Sequence, residues 1–475
     1  MQGLRRRAWM IVVTIGLAAA AGNASDSSLE ARVEAASRLI DVWIGENLTY
    51  HQWPSVAVGV VHGGELVWAK GYGTADAAGA VPVTATTRHR LGSVSKVFTA
   101  TLVMILRDQG KLALDDPITR FLPGFEIENP FPGSAPISVR HLLTHTAGLP
   151  REGAFPYWAT HVFPGRAELL EATAGQSLVH PPGTTYKYSN LGVALLGAIV
   201  EEATGLTYAE ALRRHLLEPL GMANTTAAPS PSEIESLAAA RMRREPQGRR
   251  LHTYYDTGAV AAAANVVSTV ADLSRFAALH LGYRPDVLAE RTRLEMQRLQ
   301  FIYPSWSGGR GLGFAVSRDQ GKELVSHGGW IGGHRSQLTF SPGEDLAVIV
   351  LTSADDVSPA FVGAPVRRVF AEHLSGPDPL PNEPAWSAYE GRYTDPWGWE
   401  YTVMALGGEL VIYDHNYPPD DDPKSSLTPL APIGPHLFRM EDGENVRFEV
   451  DADGRAIRFI RRVEPMERIP EPPGP

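Results

Sequence analysis

The sequence predicts an α/β fold, an antiparallel sheet flanked by helices with an inserted all-helical region, followed by a small C-terminal all-β barrel. Three observations carry this prediction. Runs rich in β-formers sit at both ends of the first 374 residues, with apolar residues at helical spacing between them. A proline-rich stretch, 375–384, then breaks the chain, as a stiff linker would. Short β-like runs separated by glycine turns follow it.

The chain opens with Arg5-Arg6-Arg7, an apolar run from Ala8 to Ala21, and the small residues Gly22-Asn23-Ala24. That charged, apolar, small order is the order of a secretory signal peptide over 1–24, so the protein is expected to be exported, periplasmic or secreted. About 14 apolar residues fall short of the roughly 20 that span a bilayer, so no stable membrane span is expected.

A single large domain is expected over 25–374. Leu29 to Leu48 has the apolar spacing of a helix that packs across a sheet. Ser55 to Val61 and Glu65 to Gly71 read as strands joined by the turn His62-Gly63-Gly64. A helix is predicted from Ser93 through Leu106 to Gln109, with Gly110 as its stop. Further helices at Val139 to Leu143, Arg166 to Thr173, Asn190 to Thr204 and Tyr208 to Leu217 make the inserted region. Strand character returns at Gly313 to Ser317, Glu323 to His327, Ser336 to Ser341 and Leu346 to Thr352. A helix from Pro365 to His373, with proline in the tolerated first position, closes the domain. Past the linker, Tyr401 to Val403, Glu409 to Tyr413, His436 to Met440, Val446 to Val450 and Ala456 to Arg461 are strand-like. With turns at Gly407-Gly408 and Asp453-Gly454 they suggest a barrel or sandwich over 385–475.

Composition narrows the function. Hydrophobic residues at 44% and charged residues at 20% are ordinary globular values. A net charge of -10 with no basic stripe argues against a nucleic-acid partner. The chain has no cysteine, which removes disulfides, thiol catalysis and cysteine-bound zinc. Covalent chemistry must then use Ser, Thr, Lys or Tyr.

Three short motifs bear on that chemistry. In Ser93-Val94-Ser95-Lys96, residues three apart on a helix share a face, so the lysine amine can approach the serine hydroxyl and take its proton when desolvation keeps it neutral. Alone, such a tetrapeptide reads as a cap followed by a solvated lysine. Among the six lysines, however, only Lys96 has a serine three residues before it. Tyr188-Ser189-Asn190 supplies a phenol that can relay a proton and an amide that can orient a lysine or a carbonyl. On its own it is packing plus a helix cap. His327-Gly328-Gly329-Trp330 sits on a predicted strand whose glycines admit close approach, so Trp330 N–H and Ser93 N–H can form an oxyanion hole. By itself this segment reads as a bulge with a satisfied histidine.

In this order the three motifs resemble the serine β-lactamase and DD-peptidase superfamily of penicillin-binding proteins, which shares the Ser-x-x-Lys signature. The resemblance is nearer to the class C β-lactamase and esterase-like branch, and it spans roughly residues 30–373. It also takes in the run from His141 through Thr144-His145-Thr146 to Pro150, and Gly311-Leu312-Gly313-Phe314. It implies Ser93 as acylated nucleophile, Lys96 and Tyr188 sharing proton transfer, and Asn190 positioning Lys96 and substrate. His327, Gly328, Gly329 and Trp330 would line the opposite wall, and His145 would be structural. It implies no cofactor and no metal, and as partner a small-molecule or peptide substrate, cell-wall peptides included. The oligomeric state is not legible.

One departure matters. Many members carry Lys-Thr-Gly at the third motif, where the lysine binds a substrate carboxylate; His327 is mostly neutral at pH 7, and Arg335 is the candidate replacement. The resemblance therefore implies a serine hydrolase acting on an ester or a D-amino-acid peptide, with a true β-lactamase and a non-catalytic penicillin-binding or sensor protein as alternatives. The C-terminal part, with Tyr389-Glu390-Gly391-Arg392-Tyr393, resembles the lipocalin-like barrel appended to some members, expected to restrict access or mediate assembly.

Overall fold

The computed structural model describes residues 10–470. These form two compact units: Trp53–Arg367, and a second that joins the N-terminal helix, through Gln52, to the chain from Arg368 onward. The first nine residues of the predicted leader lie outside the described residues, and Met10–His51 is one continuous helix.

The strands of the Trp53–Arg367 unit are β1 (Ser55–His62), β2 (Glu65–Gly73), β3 (His89–Arg90), β4 (Val267–Ser268), β5 (Phe301–Ile302), β6 (Gly308–Arg310), β7 (Ala315–Asp319), β8 (Lys322–Ile331), β9 (His334–Ser341) and β10 (Leu346–Thr352). Eight of them form one antiparallel sheet in the order β2-β1-β10-β9-β8-β7-β6-β5. The pairing of β1 with β10, from Val56 opposite Thr352 to His62 opposite Leu346, joins the two ends of the unit, as the patterning predicts. β10 is a run of six apolar residues closed by Thr352 and buried along its whole length, the signature of a central strand covered on both faces. Helix Val270–Leu281, capped by Thr269, packs on this sheet. A Cβ on Gly59 of β1 would meet Val270 at 2.4 Å, so the glycine admits the helix.

Helices Val139–Leu143, Arg166–Thr173 and Asn190–Thr204 form at their predicted residues within the inserted region. The helix predicted from Ser93 instead begins at Ser95, behind a 3-10 turn over Gly92–Val94. Gly92 stands at φ 52, and a Cβ there would meet the Trp330 backbone at 2.7 Å, so β8 sits where a regular first helical turn would need side-chain room. The last helix begins six residues earlier than predicted, at Pro359, and runs to Ser375 with Pro365 inside it. The Ser358 hydroxyl accepts the Phe361 N–H at 3.4 Å, so Ser358-Pro359 supplies both the cap and the first-turn proline.

In the second unit, β11 (Gly391–Thr394), β12 (Glu400–Leu406), β13 (Glu409–Asp414), β14 (Leu427–Gly434), β15 (Leu437–Arg439), β16 (Asn445–Val450), β17 (Ala456–Arg461) and β18 (Glu464–Arg468) form a closed up-and-down barrel. β18 closes on β11 with Tyr393 opposite Arg468, which makes the domain a barrel and not a sandwich. Aromatic rings pack its interior, with Tyr389 4.5 Å from Phe448 and Tyr393 5.0 Å from Phe459. The N-terminal helix is tied to this unit by the Trp43 indole N–H, which donates to the Asp420 carbonyl at 2.6 Å, and by Glu46, whose carboxylate lies 2.9 Å from His415 Nδ1.

Candidate active site

Ser93 occupies the 3-10 turn and Lys96 the first turn of the helix Ser95–Asp108 behind it. Lys96 Nζ lies 3.1 Å from Ser93 Oγ and donates to the Ala263 carbonyl at 2.9 Å. The lysine is only 2% exposed, and burial pushes its pKa below the ordinary lysine value, the condition for an amine that accepts a proton. Ser95, between the two, turns the other way: its hydroxyl accepts the Val266 N–H at 3.0 Å and fixes the turn to the segment that carries Ala263.

Tyr188 stands over this pair. Its ring lies 5.0 Å from Lys96 Nζ on one side and 5.1 Å from the Arg151 guanidinium, with the His145 ring 4.5 Å away. His145 is buried, in the left-handed region at φ 56, and its Nδ1 accepts the Ser189 N–H at 3.2 Å. Burial holds it well below the usual histidine pKa, so this neutral acceptor orients the Tyr188-Ser189-Asn190 segment. Ser189 caps the helix Asn190–Thr204, accepting the Gly192 N–H at 2.9 Å while its hydroxyl donates to the Pro150 carbonyl at 2.6 Å. Asn190 Nδ2 donates to Glu152 at 2.7 Å.

β8 forms the facing wall. A Cβ on Gly329 would meet the Leu91 carbonyl at 1.9 Å, so glycine there lets β8 touch the segment leading into Ser93. The Ser336 hydroxyl donates to the same carbonyl at 2.7 Å. A Cβ on Gly328 would meet the Gln337 side chain at 2.9 Å. His327 is 6% exposed, and its Nδ1 donates to the Gly328 carbonyl at 2.7 Å. Burial, then the charges of Arg310 and Lys96, push its pKa down to about 3, so it carries no charge at neutral pH. The Trp330 side chain projects outward, 63% exposed, and its indole N–H donates to Asp355 at 2.6 Å.

These elements enclose a cavity of about 920 Å³. Ser93, Tyr188, Asn190, His327, Gly328, Gly329, Trp330 and Arg335 line it, and Lys96 is buried behind Ser93. Sequence reasoning missed Arg151, Glu152 and Asp355, which also line it. Nothing in the sequence marks them: Arg151-Glu152 follows Leu149-Pro150 without a motif of its own, and its relation to Asn190 exists only in space. Among the described residues no group of three or more His, Asp or Glu side chains is placed to hold a metal ion.

A profile of the Beta-lactamase family matches residues 40–372. The chain is also 30% identical over 370 residues to "Penicillin-binding protein 4" of Amycolatopsis lactamdurans, which covers 72% of this chain and 94% of that one. The chain belongs to the β-lactamase family. As a member it is a serine hydrolase of the β-lactamase and DD-peptidase superfamily, and all the site residues named above fall inside the matched span. It is 28% identical over 279 residues to the "D-alanyl-D-alanine-carboxypeptidase/endopeptidase AmpH" of Escherichia coli strain K12, covering 56% of this chain and 70% of that one. Its fold is similar to that of the octameric penicillin-binding protein homologue from Pyrococcus abyssi, with a TM-score of 0.62 and 21% identity over 90% of this chain and 98% of that one. The barrel lies beyond the family match.

Proposed function

We propose that this β-lactamase-family chain is an exported hydrolase that forms an acyl-enzyme at Ser93 and cleaves a D-amino-acid peptide or a carboxylic ester. The observation that carries the proposal is the buried Lys96 amine 3.1 Å from the Ser93 hydroxyl, with the Tyr188 ring beside it. Ser93 Oγ attacks the acyl carbonyl while its proton passes to Lys96 or Tyr188, and the same pair returns a proton to the leaving amine or alkoxide. Water then attacks the ester on Ser93 and releases the acid. The N–H groups of Ser93 and Trp330 receive the oxyanion, a role supported by the close approach of Gly92 to the Trp330 backbone. The carboxypeptidase named among the relatives supports a D-amino-acid peptide as substrate.

Export rests on the leader pattern over 1–24. Among the described residues no single helix is long and apolar enough to cross a membrane.

β-Lactam hydrolysis is the second reading. The family match favours it, and Arg335 in the cavity offers a carboxylate partner. The neutral His327 weighs against it, because the third motif then lacks its cation. Turnover of D-alanyl peptides, short-chain p-nitrophenyl esters and nitrocefin, measured for the wild type and Ser93→Ala, separates the readings. Hydrolysis that survives Ser93→Ala removes the Ser93 mechanism, and a stable penicillin adduct without turnover of the whole panel identifies a sensor instead.

A further inference from the structure

The ladder between β7 and β8 stops at Ser326, whereas the ladder between β8 and β9 runs on to Ile331. From His327 onward β8 therefore has a paired strand on one side only. Four of the six residues from Gly328 to Gly333 are glycine, the residue that restrains its own backbone least. The Trp330 side chain is 63% exposed and has little packing to hold it. Yet this is the stretch whose Trp330 N–H the proposed mechanism places at the oxyanion.

A single carboxylate oxygen supplies the missing restraint. Asp355, in the segment that follows β10, accepts the Trp330 indole N–H at 2.6 Å and the Gly333 N–H at 2.8 Å, both on Oδ1. One donor stands on the strand and the other in the turn that pairs Ile331 with His334, so the two bonds pin the tip of the β8–β9 hairpin from both sides. Hydrogen bonds to a carboxylate are stronger than those to a neutral acceptor. Asp355 Oδ2 faces His252 Nε2 at 3.5 Å. The residue is itself fixed at the backbone: its N–H donates to the Arg241 carbonyl at 3.1 Å, and its carbonyl accepts Arg335 Nη1 at 3.3 Å. The Trp330 backbone in turn lies against the turn that carries Ser93, 2.7 Å from where a Gly92 Cβ would stand.

We propose that Asp355 is a positioning residue for the oxyanion hole: by tying the Trp330 indole and the Gly333 N–H to one oxygen, it fixes the Trp330 backbone N–H opposite that of Ser93. The inference rests on the acyl-enzyme reading above and adds the residue that keeps its second oxyanion donor in place. Asp355 moves no proton in this scheme. Its effect is on geometry, and an oxyanion donor acts on the tetrahedral state far more than on bound substrate. Loss of Asp355 therefore falls on kcat and on the affinity for tetrahedral adducts, and spares KM.

The test uses the full-length chain with Asp355→Ala, Asp355→Asn and Trp330→Phe. Asparagine keeps an oxygen for the two N–H groups. Phenylalanine removes only the indole donor, on an exposed side chain, so it leaves the core intact if Asp355→Ala does not fold. Hydrolysis of p-nitrophenyl acetate gives kcat and KM. Calorimetric titration with phenylboronic acid, whose boron takes up a serine oxygen to give a tetrahedral anion, gives the affinity for an oxyanion. Asp355→Ala lowers kcat by about 10- to 100-fold, the cost of a misplaced group, weakens the boronate by a similar factor and leaves KM within about twofold. Asp355→Asn recovers most of both losses, and Trp330→Phe shows a smaller loss of each because the Gly333 bond remains.

Unchanged kcat and boronate affinity in Asp355→Ala or in Trp330→Phe overturn the proposal. So does a loss that asparagine fails to recover, or a change confined to KM. Ser93→Ala separates this failure from that of the underlying reading. If Ser93→Ala loses the boronate while Asp355→Ala keeps it, only the role of Asp355 falls. If Ser93→Ala binds the boronate as the wild type does, or the wild type neither binds it nor turns over the ester, the acyl-enzyme reading falls and takes the proposal with it.

Discussion

Lys96 Nζ is held between two oxygens, the Ser93 hydroxyl at 3.1 Å and the Ala263 carbonyl at 2.9 Å. The carbonyl is a fixed acceptor, so the amine keeps its place whichever way the proton moves. Burial favours the neutral amine, the form able to take the serine proton in the proposed mechanism.

In the proposed mechanism acylation depends on deprotonated Lys96. Its rate rises with pH through a limb that lies below the ordinary lysine value of 10.5, because the pKa is lowered. Lys96→Arg keeps the charge but cannot deprotonate, and it lowers kcat/KM by about 10²- to 10⁴-fold at every pH. A pH-rate profile of ester hydrolysis checks both statements. A variant that retains activity within a few fold contradicts them.

Gly329 sets the distance between β8 and the turn that carries Ser93. In Gly329→Ala the new methyl group meets the Leu91 carbonyl at 1.9 Å, so the strand or the turn must shift. The expected result is a loss of about 1 to 3 kcal/mol in urea unfolding, with a larger fractional loss in kcat than in KM. The Ser93 and Trp330 N–H groups would no longer converge on one oxyanion. Gly343→Ala, with nothing within 4 Å of its Cβ, is the control expected to change neither.

His327→Lys tests the missing cation at the third motif. The neutral imidazole cannot pair with a carboxylate, whereas an ammonium at that position can. The variant is expected to lower KM for carboxylate-bearing substrates, nitrocefin included, by about tenfold, the gain of one charge-assisted contact. Neutral p-nitrophenyl esters should not share that gain. Equal changes for both substrate types would show that His327 does not select for charge.

Stability of the Trp53–Arg367 unit follows its buried histidines. Burial lowers His89 from 6.5 to about 4 and His327 from 6.5 to about 3. Each is neutral when folded and protonated in the unfolded chain below about pH 6.5. Their contribution is full above pH 6.5 and drains away as the pH falls toward 4 for His89 and 3 for His327, by about 1.4 kcal/mol per pH unit for each group. Urea unfolding at pH 7, 5.5 and 4.5 checks this. His89→Gln should flatten the slope by about that amount, and an unchanged slope would contradict it.

Much of this was legible from residue order. The apolar run from Leu346 to Leu351 marked β10 as a strand, and the order of strands, helices, strands implied a sheet built from both ends of the domain, as the pairing of β1 with β10 shows. The approach of Lys96 to Ser93 was legible because residues three apart share a face, and because the second and third motifs follow in order. What was not legible depends on contacts distant in sequence. The 3-10 turn at Gly92 comes from β8, more than two hundred residues later, and the Asn190 amide is oriented by Glu152, 38 residues earlier in a segment with no pattern. In the barrel, β14 was missed because Pro429 and Pro432 disguise it, and β18 because Glu464, Glu467 and Arg468 make it polar. The helix predicted from Pro365 to His373 forms, but its start was misplaced for a local reason, since Ser358-Pro359 is the stronger start signal.

The central claim is that Ser93 is the nucleophile, and intact-mass analysis after exposure to a fluorophosphonate and to ampicillin tests it most directly. The wild type should gain one adduct with the fluorophosphonate, Ser93→Ala none, and ampicillin should add at most the same single site. An adduct that forms on Ser93→Ala would contradict the account.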